Sequence, residues 1–193
     1  HGSLIITTVD GLADIIAPSV ARYAAQHPKV AITLNTENRH LDLARREADI
    51  AIRLTDHPDD RLFGRKVANI PYAPFASKDL IKQYGRDVAA LPWILWDEAA
   101  GAIGSERWYA ERSGNREPIA RVTNAMTLLS LARASVGGAI LALPLAKSSG
   151  LVPLEAPIEG FDTALWCLCR DDLRHSDRVR AFMDQLAKDM AFL

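Results

Sequence analysis

Arg45-Arg46-Glu47-Ala48-Asp49-Ile50-Ala51-Ile52-Arg53-Leu54 is the stretch on which the reading of this chain turns. A charged helix end runs directly into a short apolar segment that carries one arginine. Ile50, Ala51, Ile52 and Leu54 leave no polar alternation toward solvent, which is the pattern of a parallel strand covered by helices on both faces. Arg53 interrupts that pattern. Strands of open parallel sheets deliver their carboxyl ends to the crevice where ligands bind. Two readings of Arg53 therefore stay open: a structural ion-pair partner, because buried charges are normally paired, and a ligand contact.

The stretch sits in a chain of 193 residues that is 49% hydrophobic, enough to bury a full core as one domain or two small lobes. Lys+Arg 23 against Asp+Glu 24 gives a formal net charge of -1, so the chain lacks the basic excess of a surface that grips phosphates. His1-Gly2-Ser3 reads as a cloning remnant, and the apolar run behind it has neither the charged region nor the length of a signal peptide. No segment approaches the roughly 20 apolar residues of a membrane span, and the expected location is cytoplasmic. Cys167 and Cys169, the only cysteines, have a C-x-C spacing that makes a poor disulfide and half a metal site, so they are expected to be structural filler.

Taken in order, Leu4 to Thr8 reads as a strand, Leu12 to Gln26 as a helix that Pro18 kinks or restarts and Pro28 stops, and Val30 to Thr36 as a second strand. Leu41 to Glu47 reads as a short helix before the strand Ile50 to Leu54. This βαβαβ alternation calls for right-handed crossovers and a parallel sheet. Leu62 to Val67 and Pro71 to Ala76 read as two strands, and Ser77 caps a helix to about Tyr84. Beyond it come a strand Trp93 to Trp96, a helix Ser105 to Arg112 with Gly114 after its end, and a strand Ile119 to Val122. Asn124 caps a helix Met126 to Ser135, which Gly137-Gly138 terminates. A strand Ala139 to Leu143 ends at Pro144, and a further strand runs from about Thr163 to Cys169. In the last helix Val179, Phe182, Met183, Leu186 and Met190 follow helical spacing behind Ser176.

These residues resemble the effector-binding, or co-inducer-binding, domain of LysR-type transcriptional regulators. Ala48 to Arg53 (ADIAIR) matches that family's most recurrent phrase, with His27-Pro28 leading into the strand before it. Leu62 to Val67, Phe75-Ala76-Ser77, Gly137 to Pro144, Gly150 to Leu154 and Arg180-Ala181-Phe182 follow in the family's order. The resemblance implies an α/β fold of two Rossmann-like lobes, type 2 periplasmic-binding-protein-like, joined by two crossover strands near Phe75-Ala76 and Leu143-Pro144. Residues 3–75 and 145–193 would form lobe I, and 76–144 lobe II. It also implies a small-molecule effector held between the lobes, a homodimer or tetramer, and DNA binding only through an N-terminal winged helix-turn-helix that this chain lacks. Lys78 stands where the family often has proline, and Asp10 where hydroxyl residues are common.

In that architecture the helix starts at Thr7-Thr8-Val9-Asp10, Ser77 and Asn124 would offer free N–H groups to polar or anionic atoms, while the Asp10 carboxylate would oppose an anion. The expected effector-binding residues are Thr8, Asp10, Thr36, Arg53, Asn124 and Met126, with Phe75 and Trp96 as further apolar wall. Plain helix capping is the competing role for Thr8, Asn124 and Ser77. No cofactor or metal is expected, and no enzyme: the histidines lack ligand spacing, no G-x-S-x-G elbow occurs, and Gly137-Gly138 precedes a strand rather than a helix. Two other classes remain, a stand-alone periplasmic-type solute-binding protein and a redox sensor using Cys167 and Cys169.

Overall fold

A computed structural model of the chain describes residues 2–36, 48–97, 104–114 and 116–191. The chain divides into two compact units, residues 1–70 with 163–193, and residues 71–162. The helix expected at Leu41 to Glu47 lies outside the described residues.

Unit 1 is built on β1 (Gly2–Thr7), α1 (Asp10–Gln26), β2 (Val30–Asn35) and β3 (Ile50–Leu54), with β9 (Asp162–Arg170) and α6 (Asp177–Met190) returning from the far end of the sequence. β1 pairs in parallel with β2 and β3. Gly2 and Ser3 take part, opposite Val30 and Ala31, so residues read as a remnant extend the first strand. The parallel pairing expected of the first three strands holds, and the late strand β9 adds an antiparallel neighbour to β3, with Arg53 opposite Trp166 and Ile52 opposite Cys167. The reason is connectivity: β9 enters directly as the chain comes back into unit 1, without the helical crossover that a parallel neighbour requires.

Register sorts the side chains of this sheet. One face of β3 and β9 carries Ile50, Ile52, Leu165, Cys167 and Cys169, all without solvent exposure. The other carries Ala51 and Leu168, packed with Ala48, Ile5, Leu62 and Trp166. α1 and α6 pack on each other through Tyr23, whose ring meets Phe182 edge-on at 5.4 Å and whose hydroxyl donates to the Arg178 carbonyl at 3.0 Å. At the rim of the same pair, Arg22 and Asp189 join at 3.0 Å. Pro18 neither ends nor restarts α1, which runs through it unbroken.

The two strands expected at Leu62 to Val67 and Pro71 to Ala76 are one, β4 (Leu62–Ala76), which carries the chain out of unit 1. Unit 2 continues with α2 (Lys78–Tyr84), β5 (Ile94–Trp96), α3 (Ser105–Ser113), β6 (Ala120–Val122), α4 (Ala125–Arg133), β7 (Ala139–Ala142), α5 (Leu143–Lys147) and β8 (Val152–Pro153). β7 and β8 both pair with β4, and β5 pairs in parallel with β6. Because β8 and the Ile158 to Tyr72 backbone bond hold 145–162 on β4, this segment belongs with unit 2 rather than lobe I. The division into compact units falls at Ile70-Pro71 and Asp162-Thr163, where the expectation placed the crossover strands near Phe75-Ala76 and Leu143-Pro144. Pro144 does end β7, but by sitting in the first turn of α5, where a missing N–H costs nothing.

Two expectations about glycine change meaning. α4 ends at Arg133, and the residue that turns left-handed after it is Ser135, with φ 64. Gly138 instead receives the Trp93 ring, which would stand 3.2 Å from an added Cβ. Gly64 of β4 is tighter still, because a Cβ there would lie 2.3 Å from the Cys167 carbonyl oxygen and 2.9 Å from the Leu168 Cα. Both of those atoms are backbone, so neither can swing away. We expect Gly64→Ala to destabilise the chain by about 2–3 kcal/mol, the upper part of the range for overpacking, read as a lower urea midpoint at unchanged slope; an unchanged midpoint would show that β4 and β9 separate freely.

Candidate functional site

β1 and β3 lie side by side in parallel, so their carboxyl ends, Thr7 and Arg53, open at the same edge of the unit 1 sheet. The Arg53 guanidinium donates from Nη2 to the Thr7 hydroxyl at 3.0 Å and from Nη1 to the carbonyl of Ile52 at 3.0 Å. Neither acceptor is charged. Among the described residues no carboxylate pairs with it, which removes the ion-pair reading there. Burial pulls its pKa below the usual arginine value, the direction expected when a charge loses water without gaining a counter-charge.

Trp166 is directly opposite Arg53 across β3 and β9, and opposite residues of an antiparallel pair put their side chains on one face with Cβ atoms about 5 Å apart. The Trp166 indole Nε1 is buried and has no hydrogen-bond partner. A buried donor left without an acceptor costs about 1–3 kcal/mol, so this atom needs an explanation. Thr8, just past β1, is in the same condition: fully buried, its backbone N–H on the Asn35 carbonyl at 2.9 Å, and its Oγ1 without a partner. α1 starts two residues later with Val9 in the N-cap position and no side-chain cap.

Of the expected site residues, the structure gathers Thr8, Asp10 and Arg53 at this edge of unit 1. Asp10 opens α1 and is half-buried. Thr36 follows Asn35, the residue opposite Thr7, and is exposed. Asn124 and Met126 belong to unit 2. The Asn124 side chain caps α4, its Oδ1 accepting from the Thr127 N–H at 2.7 Å, and Met126 in the first turn is half-buried. Ser77 likewise caps α2 by accepting from the Leu80 N–H at 3.1 Å, and meets the Ser135 hydroxyl at 2.7 Å. Phe75 is fully buried on β4, between Ala139 and Pro153, and is core rather than pocket wall; Trp96 ends β5, half-buried.

Sequence reasoning named Thr7 only as part of the turn before α1 and did not single out Trp166. For Thr7 the signal is one position away from the residue chosen. For Trp166 it needs the register of β9 against β3, which no local pattern supplies. Among the described residues no three His, Cys, Asp or Glu side chains group to hold a metal, and no helix is long and apolar enough to cross a membrane.

With this geometry in hand, comparison with known proteins is decisive on kinship. The LysR substrate binding domain family matches residues 1–191. The chain belongs to that family. A regulatory domain of a LysR-type transcriptional regulator, CrgA from Neisseria meningitidis, has the same fold, with a TM-score of 0.81 at 19% identity over 98% of this chain and 99% of that one. An HTH-type transcriptional regulator of Xanthomonas campestris is 37% identical over 70 residues, 36% of this chain and 20% of the relative. The probable HTH-type transcriptional regulator LtrA of Klebsiella pneumoniae is 26% identical over 93% of this chain. The matched stretch of the LysR domain thus covers 62% of LtrA's length and, as a 70-residue segment, 20% of the Xanthomonas regulator's, and the domain's two-unit α/β architecture is type 2 periplasmic-binding-protein-like.

The cysteines of this LysR domain lie on the fully buried face of β9. Burial raises the Cys167 thiol pKa, with the neighbouring Cys169 adding to it, and burial also raises that of Cys169. The thiolate is the reactive form, so both are poor redox sensors. We expect neither to react with a thiol reagent at neutral pH in the folded protein and both to react after unfolding in denaturant; rapid labelling of the native chain, or loss of a titratable thiol pair after peroxide, would restore the redox reading.

Proposed function

We propose that this domain is the ligand-sensing part of a longer transcriptional regulator, catalyses nothing, and changes the DNA binding of the whole protein when a small-molecule effector binds. The carrying observation is the family match over residues 1–191. The proposal includes an N-terminal winged helix-turn-helix outside this chain, self-association as a dimer or tetramer, and a cytoplasmic location. It favours a regulator over a stand-alone solute-binding protein because both relatives are HTH-type regulators longer than this chain.

The effector site proposed here uses Thr8, Asp10, Thr36 and Arg53 of unit 1, and Asn124 and Met126 of unit 2 are proposed as effector-contacting residues in their own unit. Arg53 is its anchor, supported by a half-buried guanidinium whose two hydrogen bonds both go to uncharged oxygens. Asp10, at the positive end of α1, tempers the charge the site accepts.

A melting screen against small metabolites tests this reading. A ligand at 100 times its dissociation constant stabilises by about 2.7 kcal/mol, or about 5–10 °C for a domain of this size. Arg53→Ala is expected to stay folded and to lose most of that shift. If the shift is undiminished in Arg53→Ala, the residue is structural and the site lies elsewhere.

A further inference from the structure

We infer that α3 is a hinged latch of unit 2: aromatic packing holds it down, buried polar groups push it up, and its position controls both ends of the unit. α3 starts after Gly104 and ends before Gly114, and both glycines are left-handed, with φ 53 and φ 63. No side chain caps its first turn, whereas Ser77 and Asn124 cap α2 and α4 of the same unit. Glycine enters and leaves the left-handed conformation without steric cost. Each end of α3 is therefore a point about which the helix can turn.

Ser105, Trp108, Tyr109 and Ser113 form its buried face. On that face the Ser105 hydroxyl, the Trp108 indole N–H and the Ser113 hydroxyl have no hydrogen-bond partner. Six buried side-chain polar atoms among the described residues are in that condition, and this nine-residue helix carries three of them. Each gives up its hydration without return. Against this stand the Trp108 ring, edge-on to Trp93 at 5.3 Å, and the Tyr109 ring, 6.1 Å from the same partner. The Arg112 guanidinium adds a contact 4.4 Å above Trp108. Opposed contacts on one short element lower the free energy of its local opening below that of its neighbours.

What the latch holds is set by its first residue. A Cβ on Gly104 would stand 2.8 Å from the Phe161 ring, so the glycine is the seat of that ring. Phe161 in turn meets Tyr72 edge-on at 5.8 Å. Unit 2 runs from Pro71 to Asp162, which puts Tyr72 and Phe161 next to its two ends. The backbone joins the same residues, the Ile158 N–H donating to the Tyr72 carbonyl at 2.9 Å and the Phe161 N–H to the Ile158 carbonyl at 3.1 Å. Docked, α3 backs both ends of the unit at once. Released, it hydrates its three polar groups and takes the seat from under Phe161, and anything that binds one form alone shifts the balance.

Amide hydrogen exchange of the whole 193-residue chain, followed by NMR, tests the latch, with the amides of β1 in unit 1 as the reference for global unfolding. The amides of α3 beyond its first turn are expected to exchange at least tenfold faster than those of α4, which has the same nine residues of length. Ser105→Ala with Ser113→Ala removes two unpartnered hydroxyls and is expected to slow α3 by about tenfold; Ser130→Ala, on the exposed side of α4, measures how much of that is helix propensity. At Gly114 an added Cβ meets nothing within 4 Å, so Gly114→Ala acts through the left-handed φ alone and is expected to speed α3 by about fivefold or more. The Ile158 and Phe161 amides are expected to slow and speed with α3 in the two variants. Three results would overturn the inference: α3 as protected as α4, a slowing in the double serine variant no larger than Ser130→Ala gives α4, or Ile158 and Phe161 amides that follow neither variant.

Discussion

A positive charge held in a sheet, with no counter-charge among the described residues, is the constraint on which the rest of unit 1 depends. Arg53 emerges from an apolar strand, and its hydrogen bonds go to a backbone carbonyl and a threonine hydroxyl. Burial of that kind disfavours the charged state, yet a guanidinium does not give up its proton at any ordinary pH. The cost therefore stays in the folded protein unless something brings a negative charge to it. Evolution resolves most such cases with a neighbouring carboxylate; the described residues around Arg53 offer hydroxyls and an indole instead.

The neighbours that define this environment are set by strand register, and register is itself fixed by packing. β9 can lie antiparallel against β3 because Ile50 and Ile52 meet Cys169 and Cys167 on one fully buried face. A slip of one residue would move every one of those side chains to the opposite face. The same alternation then forces Trp166 beside Arg53. On the next strand, Gly64 lets the β4 backbone approach Cys167 and Leu168 to a distance no other residue allows. The buried face and the close glycine contact thus hold in place a polar pair that contributes nothing to either.

Local elements were legible because their signals are local. Ser77 and Asn124 cap the helices that their side-chain chemistry calls for, and the five-residue strand around Arg53 has the bounds its apolar run implies. What could not be read is whatever depends on distant segments meeting. The antiparallel entry of β9, the fusion of two expected strands into β4 and the assignment of 145–162 to unit 2 all follow from pairings between residues far apart in sequence. The site divides along the same line: Arg53 stood out as a charge in an apolar run, while nothing local singled out Trp166, whose place opposite Arg53 comes from the register of β9 on β3.

This division bears on how such a domain senses. Five consecutive residue pairs join β3 to β9, so the spacing of Arg53 and Trp166 is fixed wherever that ladder is intact. A ligand bound to them is anchored to unit 1, and by itself this contact has equal strength in every arrangement of the domain that preserves the sheet. A contact of equal strength shifts no equilibrium between such arrangements, however tight it is. In the proposed site the charge of Arg53 would then set which ligands bind. A regulatory response from the proposed site would have to arise from contacts the same ligand makes outside this sheet.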